Sequence, residues 1–199
     1  YKIVEWNEDN FDVNSVPYTA EAYTQKRYAF VSDYARYWIL YNHGGLYFDT
    51  DVEILRSITD IIEAGEFLGC ETIADDNIPL YVAPGLGMGM LKGNNLCHSM
   101  LDLYSSLHFI NDDGKDNLKT IVQYTTEYLE QKGLNKVNDI QCVDGIWIYP
   151  KEYFNPYDYD AEELQITEFT RSIHHFAGSW LTPKERIKRY IEKKFGTNV

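Results

Sequence analysis

Two aspartates set two residues apart, Asp49 and Asp51, close the apolar run Leu46-Tyr47-Phe48. Carboxylates at that spacing on a strand end can leave the sheet edge together and converge on one hard cation. Mg²⁺ and Mn²⁺ favour oxygen ligands and keep positions open for phosphate oxygens. An isolated pair of this kind is also compatible with a solvated acidic turn. Upstream, Asp33 and Arg36 stand three apart, the spacing that places two side chains side by side on a helix. They read either as a surface ion pair or as an acid for a sugar or ribose hydroxyl beside a fixed cation for a phosphate or sugar hydroxyl.

Other uses of such an acidic pair make specific demands. A calcium loop starting at Asp49 needs glycine at its sixth position and glutamate at its twelfth. The chain has Ile54 and Asp60 there, so that reading fails. A dehalogenase-like phosphohydrolase normally has Thr or Val two residues beyond the second aspartate and places the motif on its first strand. Here Glu53 follows, and a strand and a helix come first; Asp75-Asp76 remains as a later acidic pair for that alternative.

The elements that must position these residues follow from periodicity. Tyr1 to Trp6 alternates as a strand does. Between Tyr28 and Tyr41, Val31, Ala35, Trp38 and Ile39 share a helical face, and Gly44-Gly45 stops that helix. Leu46 to Phe48 and Phe67 to Glu71 are short buried strands. Ile78 to Leu91 is a glycine-rich loop or strand with close backbone approach. Helices are expected over Asn95 to Leu107 and Asn117 to Lys132, and strands over Gly145 to Tyr149 and Ile166 to Phe176. Thr182, Pro183 and Glu185 open a last helix through a capping box. Asp144-Gly145 reads as a turn. The order predicts one α/β domain over residues 1–199 with a mixed sheet.

Composition narrows the partners. Lys and Arg number 18 against 31 Asp and Glu, a net charge of −13. Such a surface repels phosphate polymers, so no nucleic-acid partner is expected. A phosphorylated ligand would call for a metal as mediator. Lys184, Arg186, Lys188, Arg189, Lys193 and Lys194 make the final helix basic, a candidate contact to a membrane surface or simply a solvated face. No apolar run is long enough to span a bilayer. The three cysteines, Cys70, Cys97 and Cys142, form no disulfide framework and fit buried thiols in a reducing compartment. The chain opens on Tyr1 and shows no leader pattern, which fits a sequence that starts inside a longer one.

Taken together, Ser32-Asp33-Tyr34-Ala35-Arg36-Tyr37, Leu40-Tyr41 and Gly44-Gly45-Leu46-Tyr47-Phe48-Asp49-Thr50-Asp51-Val52 resemble the sugar-binding region of family 32 glycosyltransferases. Related cores occur in capsular-polysaccharide enzymes, fungal Golgi mannosyltransferases and, more distantly, large glucosylating toxins. The match is dense from Tyr28 to Leu55 and thin elsewhere. It implies a GT-A fold, here lacking the first strand, a cofactor Mn²⁺ or Mg²⁺, a nucleoside-diphosphate sugar donor with UDP favoured, and transfer of a hexose with retention. It implies a saccharide or glycolipid acceptor and a setting in capsule or exopolysaccharide synthesis, cytoplasmic and at the inner face of the membrane. A non-catalytic nucleotide-sugar-binding module is the other alternative.

Carried onto this chain, the resemblance makes Arg36, Asp49 and Asp51 catalytic. Donor contacts fall to Asp33, Arg36, Tyr47, Asp49 and Gly87 of the segment under the sugar, and to Ser179 and Trp180 of a late loop. Asp51 is the stronger metal ligand. Ile173-His174-His175-Phe176 supplies a histidine as third ligand. In an extended segment the two imidazoles point to opposite faces, and His175 is favoured over His174. His98, Asp102 and Asp144 are candidate acceptor-side groups.

Overall fold

The computed structural model describes residues 1–75, 78–158 and 161–177. Helices α1 (Pro17–Thr24) and α2 (Tyr28–His43) precede the short strands β1 (Gly45–Tyr47) and β2 (Val52–Ile54). Then come α3 (Thr59–Ala64), β3 (Phe67–Gly69), β4 (Met88–Met90), α4 (Asn95–Ser105) and α5 (Ile121–Gln131). Strands β5 (Gln141–Val143) and β6 (Ile146–Tyr149), helix α6 (Lys151–Phe154), and strands β7 (Tyr157–Asp158), β8 (Glu163–Leu164) and β9 (Ser172–His174) complete the order.

Five strands form a mixed sheet in the order β1-β4-β3-β6-β5, with β3 and β6 parallel and the other pairs antiparallel. Both faces are buried, and the strand period of two sorts the residues. Leu68, Met88, Met90, Ile146 and Ile148 join the core beneath α1, α2, α4 and α5. Phe67 and Tyr149 pack on the opposite face with Ile58, Ile61, Tyr153 and Phe154. Strands covered on both sides read as apolar runs rather than strict alternation, which is how Phe67-Leu68-Gly69 and Ile146 to Tyr149 appear in the sequence.

Helix α2 presents Phe30, Asp33, Tyr34, Tyr37 and Leu40 to the core, together with Val31 and Arg36. The expected face of Ala35, Trp38 and Ile39 is only half-buried. The tyrosines outcompete the aliphatic residues for the interior because Tyr37 finds a buried partner: its hydroxyl lies 2.7 Å from Thr125 Oγ1 on α5. Gly44, at φ +67, ends α2 and turns the chain into β1. The α5 region is shorter than expected because Thr120 and Gln123 form a capping box, leaving Leu118 outside and exposed.

Three expectations are corrected. Residues 1–6 form no strand; among the described residues no strand pairs with them, and an isolated extended segment has no ladder to hold it. Trp6 instead packs against Trp38 and His43. The strand expected over Ile166 to Phe176 is only Ser172–His174, because the backbone before it turns around Arg56, whose Nη1 donates to the carbonyls of Thr167 and Thr170. Cys70 and Cys97 are buried free thiols, pushed by burial up to about 12, but Cys142 is exposed.

Glu21 on α1 anchors the segment after α4. Its carboxylate accepts from the backbone N–H groups of Phe109 (2.8 Å) and Ile110 (3.0 Å) and lies 2.6 Å from His108 Nδ1. Burial pushes this carboxyl up, but those donors outweigh it and hold it below the usual carboxylate range. A depressed folded pKa gives stability that is present above the unfolded pKa and lost as pH falls through the folded one. Glu21→Ala should therefore lower unfolding free energy by about 1–3 kcal/mol at neutral pH. In urea titrations the gap from the parent should close as the medium is acidified below the carboxylate range; a gap that is unchanged in acid would remove this role.

Candidate functional site

The sheet edge, the helix before it and the late strand meet around Asp49. Strand β1 ends at Tyr47, and the chain turns through Phe48 to Asp51 before entering β2. Two backbone bonds shape the turn: Asp49 N–H donates to Gly85 O (3.0 Å) and Val52 N–H to Asp49 O (3.1 Å). β2 then pairs with β9, with Val52 opposite His174. That small ladder carries a histidine from the far end of the chain to the aspartates.

Arg36 organises the inner half of the site. It is 4% exposed, and each guanidinium nitrogen has a protein partner. Nη2 donates to Asp33 Oδ1 at 2.8 Å, Nη1 lies 3.2 Å from Asp49 Oδ1, and Nε donates to Ser32 O at 3.2 Å. The guanidinium also covers the Tyr47 ring, 4.7 Å from its centroid. Burial opposes its charge, yet Tyr47, Asp49 and Asp33 outweigh that and push its pKa up. Asp33 is the reverse case: burial raises it to about 6 against the pull of Arg36. For Asp49, burial raises but Arg36, His174 and Tyr47 lower, and the carboxyl settles at about 2. Asp49 is thus a permanent anion held by a permanent cation.

The outer half is built from the oxygens left over. Asp49 Oδ1 is taken by Arg36 and by the Tyr47 hydroxyl, which donates at 3.1 Å. Asp51 Oδ2 is taken by the Ala177 N–H at 2.8 Å. Asp49 Oδ2 and Asp51 Oδ1 remain, and His174 Nε2 lies 3.5 Å from the first and 3.2 Å from the second. Asp49, Asp51 and His174 each offer one ligand atom within 4.8 Å of the others. Two carboxylate oxygens and an imidazole nitrogen are a donor set that could hold a divalent metal ion.

Gly85 makes room for this. A Cβ there would stand 2.1 Å from Asp49 Oδ2 and 3.2 Å from Arg36 Nη1. Gly87, at φ +154, lies under Phe48, where a Cβ would meet the ring at 2.6 Å. The glycine-rich run is therefore the floor of the acidic turn.

Of the sequence candidates, the fold brings Asp33, Arg36, Tyr47, Asp49 and Asp51 into one connected group. The preference for His175 is corrected. The two imidazoles do diverge, but the register of β9 on β2 turns His174 toward the aspartates. His175 faces away, with Nε2 3.0 Å from Glu53 Oε2. Gly87 is buried beneath Phe48. Ser179, Trp180, Asp76 and the basic final stretch lie outside the described residues. His98 pairs with Asp102 at 3.1 Å, and Asp144 accepts from the Tyr128 hydroxyl at 2.8 Å; none of the three joins the acidic group. Sequence reasoning marked the glycine-rich loop that holds Gly85 for close backbone approach but not its contact with Asp49, and it missed the Ala177 N–H.

Comparison with known proteins agrees with this geometry. Residues 1–68 match the family described as "Glycosyltransferase sugar-binding region containing DXD motif". An uncharacterized glycosyltransferase of Acanthamoeba polyphaga mimivirus is 26% identical over 203 residues, covering 96% of this chain and 74% of that protein. No solved structure matches the chain. The two matches support a glycosyltransferase. Among the described residues no helix is long and apolar enough to cross a membrane.

The close approach at Gly85 gives a direct test. Gly85→Ala should leave the far-ultraviolet circular dichroism intact. Its methyl group should push the Asp49 carboxylate off its seat, weakening Mn²⁺ binding by about tenfold or more, the scale of one lost charged contact. Unchanged Mn²⁺ affinity by calorimetry would show that Gly85 does not set the position of Asp49.

Proposed function

We propose that this chain is the catalytic domain of a metal-dependent glycosyltransferase with a GT-A fold. In this reading it moves a hexose from a nucleoside-diphosphate sugar, UDP-linked by preference, to a saccharide or glycolipid acceptor with retention at the anomeric carbon. The observation that carries the reading is the convergence of Asp49 Oδ2, Asp51 Oδ1 and His174 Nε2 beside a buried arginine. Arg36, Asp49 and Asp51 lie within residues 1–68, the stretch that matches the sugar-binding family, and His174 joins them from outside it. A donor set with one imidazole suits Mn²⁺ better than Mg²⁺.

The chemistry has one dominant demand. As the bond from the anomeric carbon to phosphate oxygen breaks, negative charge grows on the diphosphate and positive charge on the sugar. A divalent cation held by Asp49, Asp51 and His174 would supply the stabilisation of the leaving diphosphate. The chain's own groups hold the geometry. Arg36 and Tyr47 fix one oxygen of Asp49, so the other is pre-aimed, and Ala177 does the same for Asp51. Asp33, buried and paired with Arg36 Nη2, holds the guanidinium that fixes Asp49. On this reading the departing phosphate oxygen takes the acceptor hydroxyl's proton while the new bond forms on the same face. Neither aspartate acts as a nucleophile.

One Asp49 oxygen is committed to Arg36 and Tyr47 and the other shares an opening with Asp51 and His174, which favours a metal-holding role over that of a phosphate-attacking carboxylate. A role in capsule or exopolysaccharide assembly on the cytoplasmic face of a membrane fits an acidic sugar transferase and is proposed with the activity.

The test is a thermal-shift panel of nucleotide sugars with and without Mn²⁺, run alongside Asp51→Asn. One donor should raise the melting temperature only when Mn²⁺ is present. Asp51→Asn should stay folded, lose that metal-dependent shift, and lose slow donor hydrolysis by about 10²-fold or more. Full hydrolysis in Asp51→Asn, or phosphate release from simple monoesters, would overturn the proposal.

A further inference from the structure

The ladder of β2 and β9 is three pairs long, and little within it specifies its register. On β2, Glu53 and Ile54 are both exposed; on β9, Ser172 and Ile173 are both buried. Neither strand alternates cleanly, so burial does not separate one register from the next. At the site end, His175 N–H donates to Asp51 O at 3.0 Å and Ala177 N–H to Asp51 Oδ2 at 2.8 Å. Those are backbone amides, which almost any residue would supply. Yet the register matters, because a slip of one residue exchanges the two faces of a strand. It would set Ile173 or His175 opposite Val52, and His174 would leave Asp49 and Asp51.

The contacts that discriminate lie at the other end of the ladder. Arg56 is an exposed residue, yet its Nη1 donates to two carbonyls, of Thr167 and Thr170, at 2.7 Å each. Those carbonyls belong to a turn that its own side chains close. Thr170 Oγ1 accepts from the Thr167 N–H at 3.0 Å, and the Thr167 hydroxyl donates to Glu152 Oε2 on α6 at 3.1 Å. Leu55 N–H and Arg56 N–H both donate to Arg171 O, and Arg171 N–H donates to Tyr153 O at 2.7 Å. The turn is thus a fixed point, docked to the end of β2 by one guanidinium and to α6 by a threonine. From Thr170 the chain runs directly into β9, so the seat of the turn decides which residue arrives opposite Val52.

We propose that Arg56 is a positioning residue for the metal site. Its hold on the turn over residues 167–170 sets the β9 register that delivers His174 to Asp49 and Asp51. Arginine suits the task because its donors sit in a rigid planar head at the end of a long stem. The inference rests on the reading of Asp49, Asp51 and His174 as metal ligands and adds the residue that brings the third of them into place.

Pulsed electron paramagnetic resonance of bound Mn²⁺ reads the delivery without turnover, since a ligating imidazole gives a nitrogen hyperfine coupling that carboxylates lack. The comparison is made in a His175→Ala chain, in which His174 is the imidazole that β9 can present. That chain should bind Mn²⁺ with nitrogen coupling, and adding His174→Ala should abolish the coupling. Arg56→Met keeps the apolar stem and removes the donors. It should leave the far-ultraviolet circular dichroism intact and lose most of the nitrogen coupling. By calorimetry it should bind Mn²⁺ about tenfold more weakly, the scale for losing an outer partner of a metal ligand. Glu21→Ala, which weakens the fold at the segment after α4, should keep the coupling in full. Full coupling and affinity in Arg56→Met would overturn the role of Arg56 and leave the metal site standing. Loss of the coupling in Glu21→Ala as well would make the effect one of general destabilisation and overturn that role too. In the chain that keeps Arg56 and His174, absence of Mn²⁺ binding, or binding without nitrogen coupling, would overturn the metal reading and this inference with it.

Discussion

A single guanidinium, taken almost wholly out of water, is the constraint on which the site depends. Moving Arg36 into the interior is unfavourable unless its charge is matched, and Asp33 and Asp49 match it from two sides. The arrangement fixes the rotation of α2 about its own axis, because only one face can present Asp33 and Arg36 to the turn after β1. It also fixes Asp49, one of whose oxygens is committed to the cation. The aromatic face of α2 follows from this: Tyr34, Tyr37 and Phe30 fill the interior around the pair. The buried ion pair thus acts through specificity of placement more than through net stabilisation.

The free oxygens of Asp49 and Asp51 inherit that placement. Each carboxylate spends one oxygen on the protein and keeps one for the opening they share with His174. Such division of labour lets acidic groups sit close together, since hydrogen-bond donors offset part of the repulsion. It also explains why the loop over residues 83–87 has so little side chain. Bulk at Gly85 would enter the carboxylate itself, and bulk at Gly87 would enter Phe48, the residue just before it.

Much of this was legible in the residues because it is local. Asp33 to Asp51 is one helix, one glycine stop and one short strand, and the spacing rules for each are strong. Burial of the Asp33–Arg36 pair was not legible, since i,i+3 spacing says which side chains are neighbours but not which face turns inward. The choice between His174 and His175 failed for a related reason. Alternation says that they diverge, whereas the register of β9 against β2 decides which one faces Asp51, and register depends on the distant turn around Arg56. The strand expected at Tyr1 to Trp6 had the right alternation and no neighbour, and alternation describes a face only once there is a sheet to own it. The capping box at Thr120 was readable and overlooked; the short elements β5, β7 and β8 carry too few residues to signal themselves.

The two-stranded ladder of β2 and β9 has a consequence for biosynthesis. Asp51 and the amide that steadies it, Ala177, are 126 residues apart in the chain. Closing so large a loop is an entropic toll met only after the intervening sheet and helices have docked. On the ribosome, the aspartates emerge long before their imidazole neighbour exists. The nascent polypeptide therefore carries the acidic turn long before His174 can join it, and the Asp49–Asp51–His174 group closes late in assembly rather than acting as a nucleus for it.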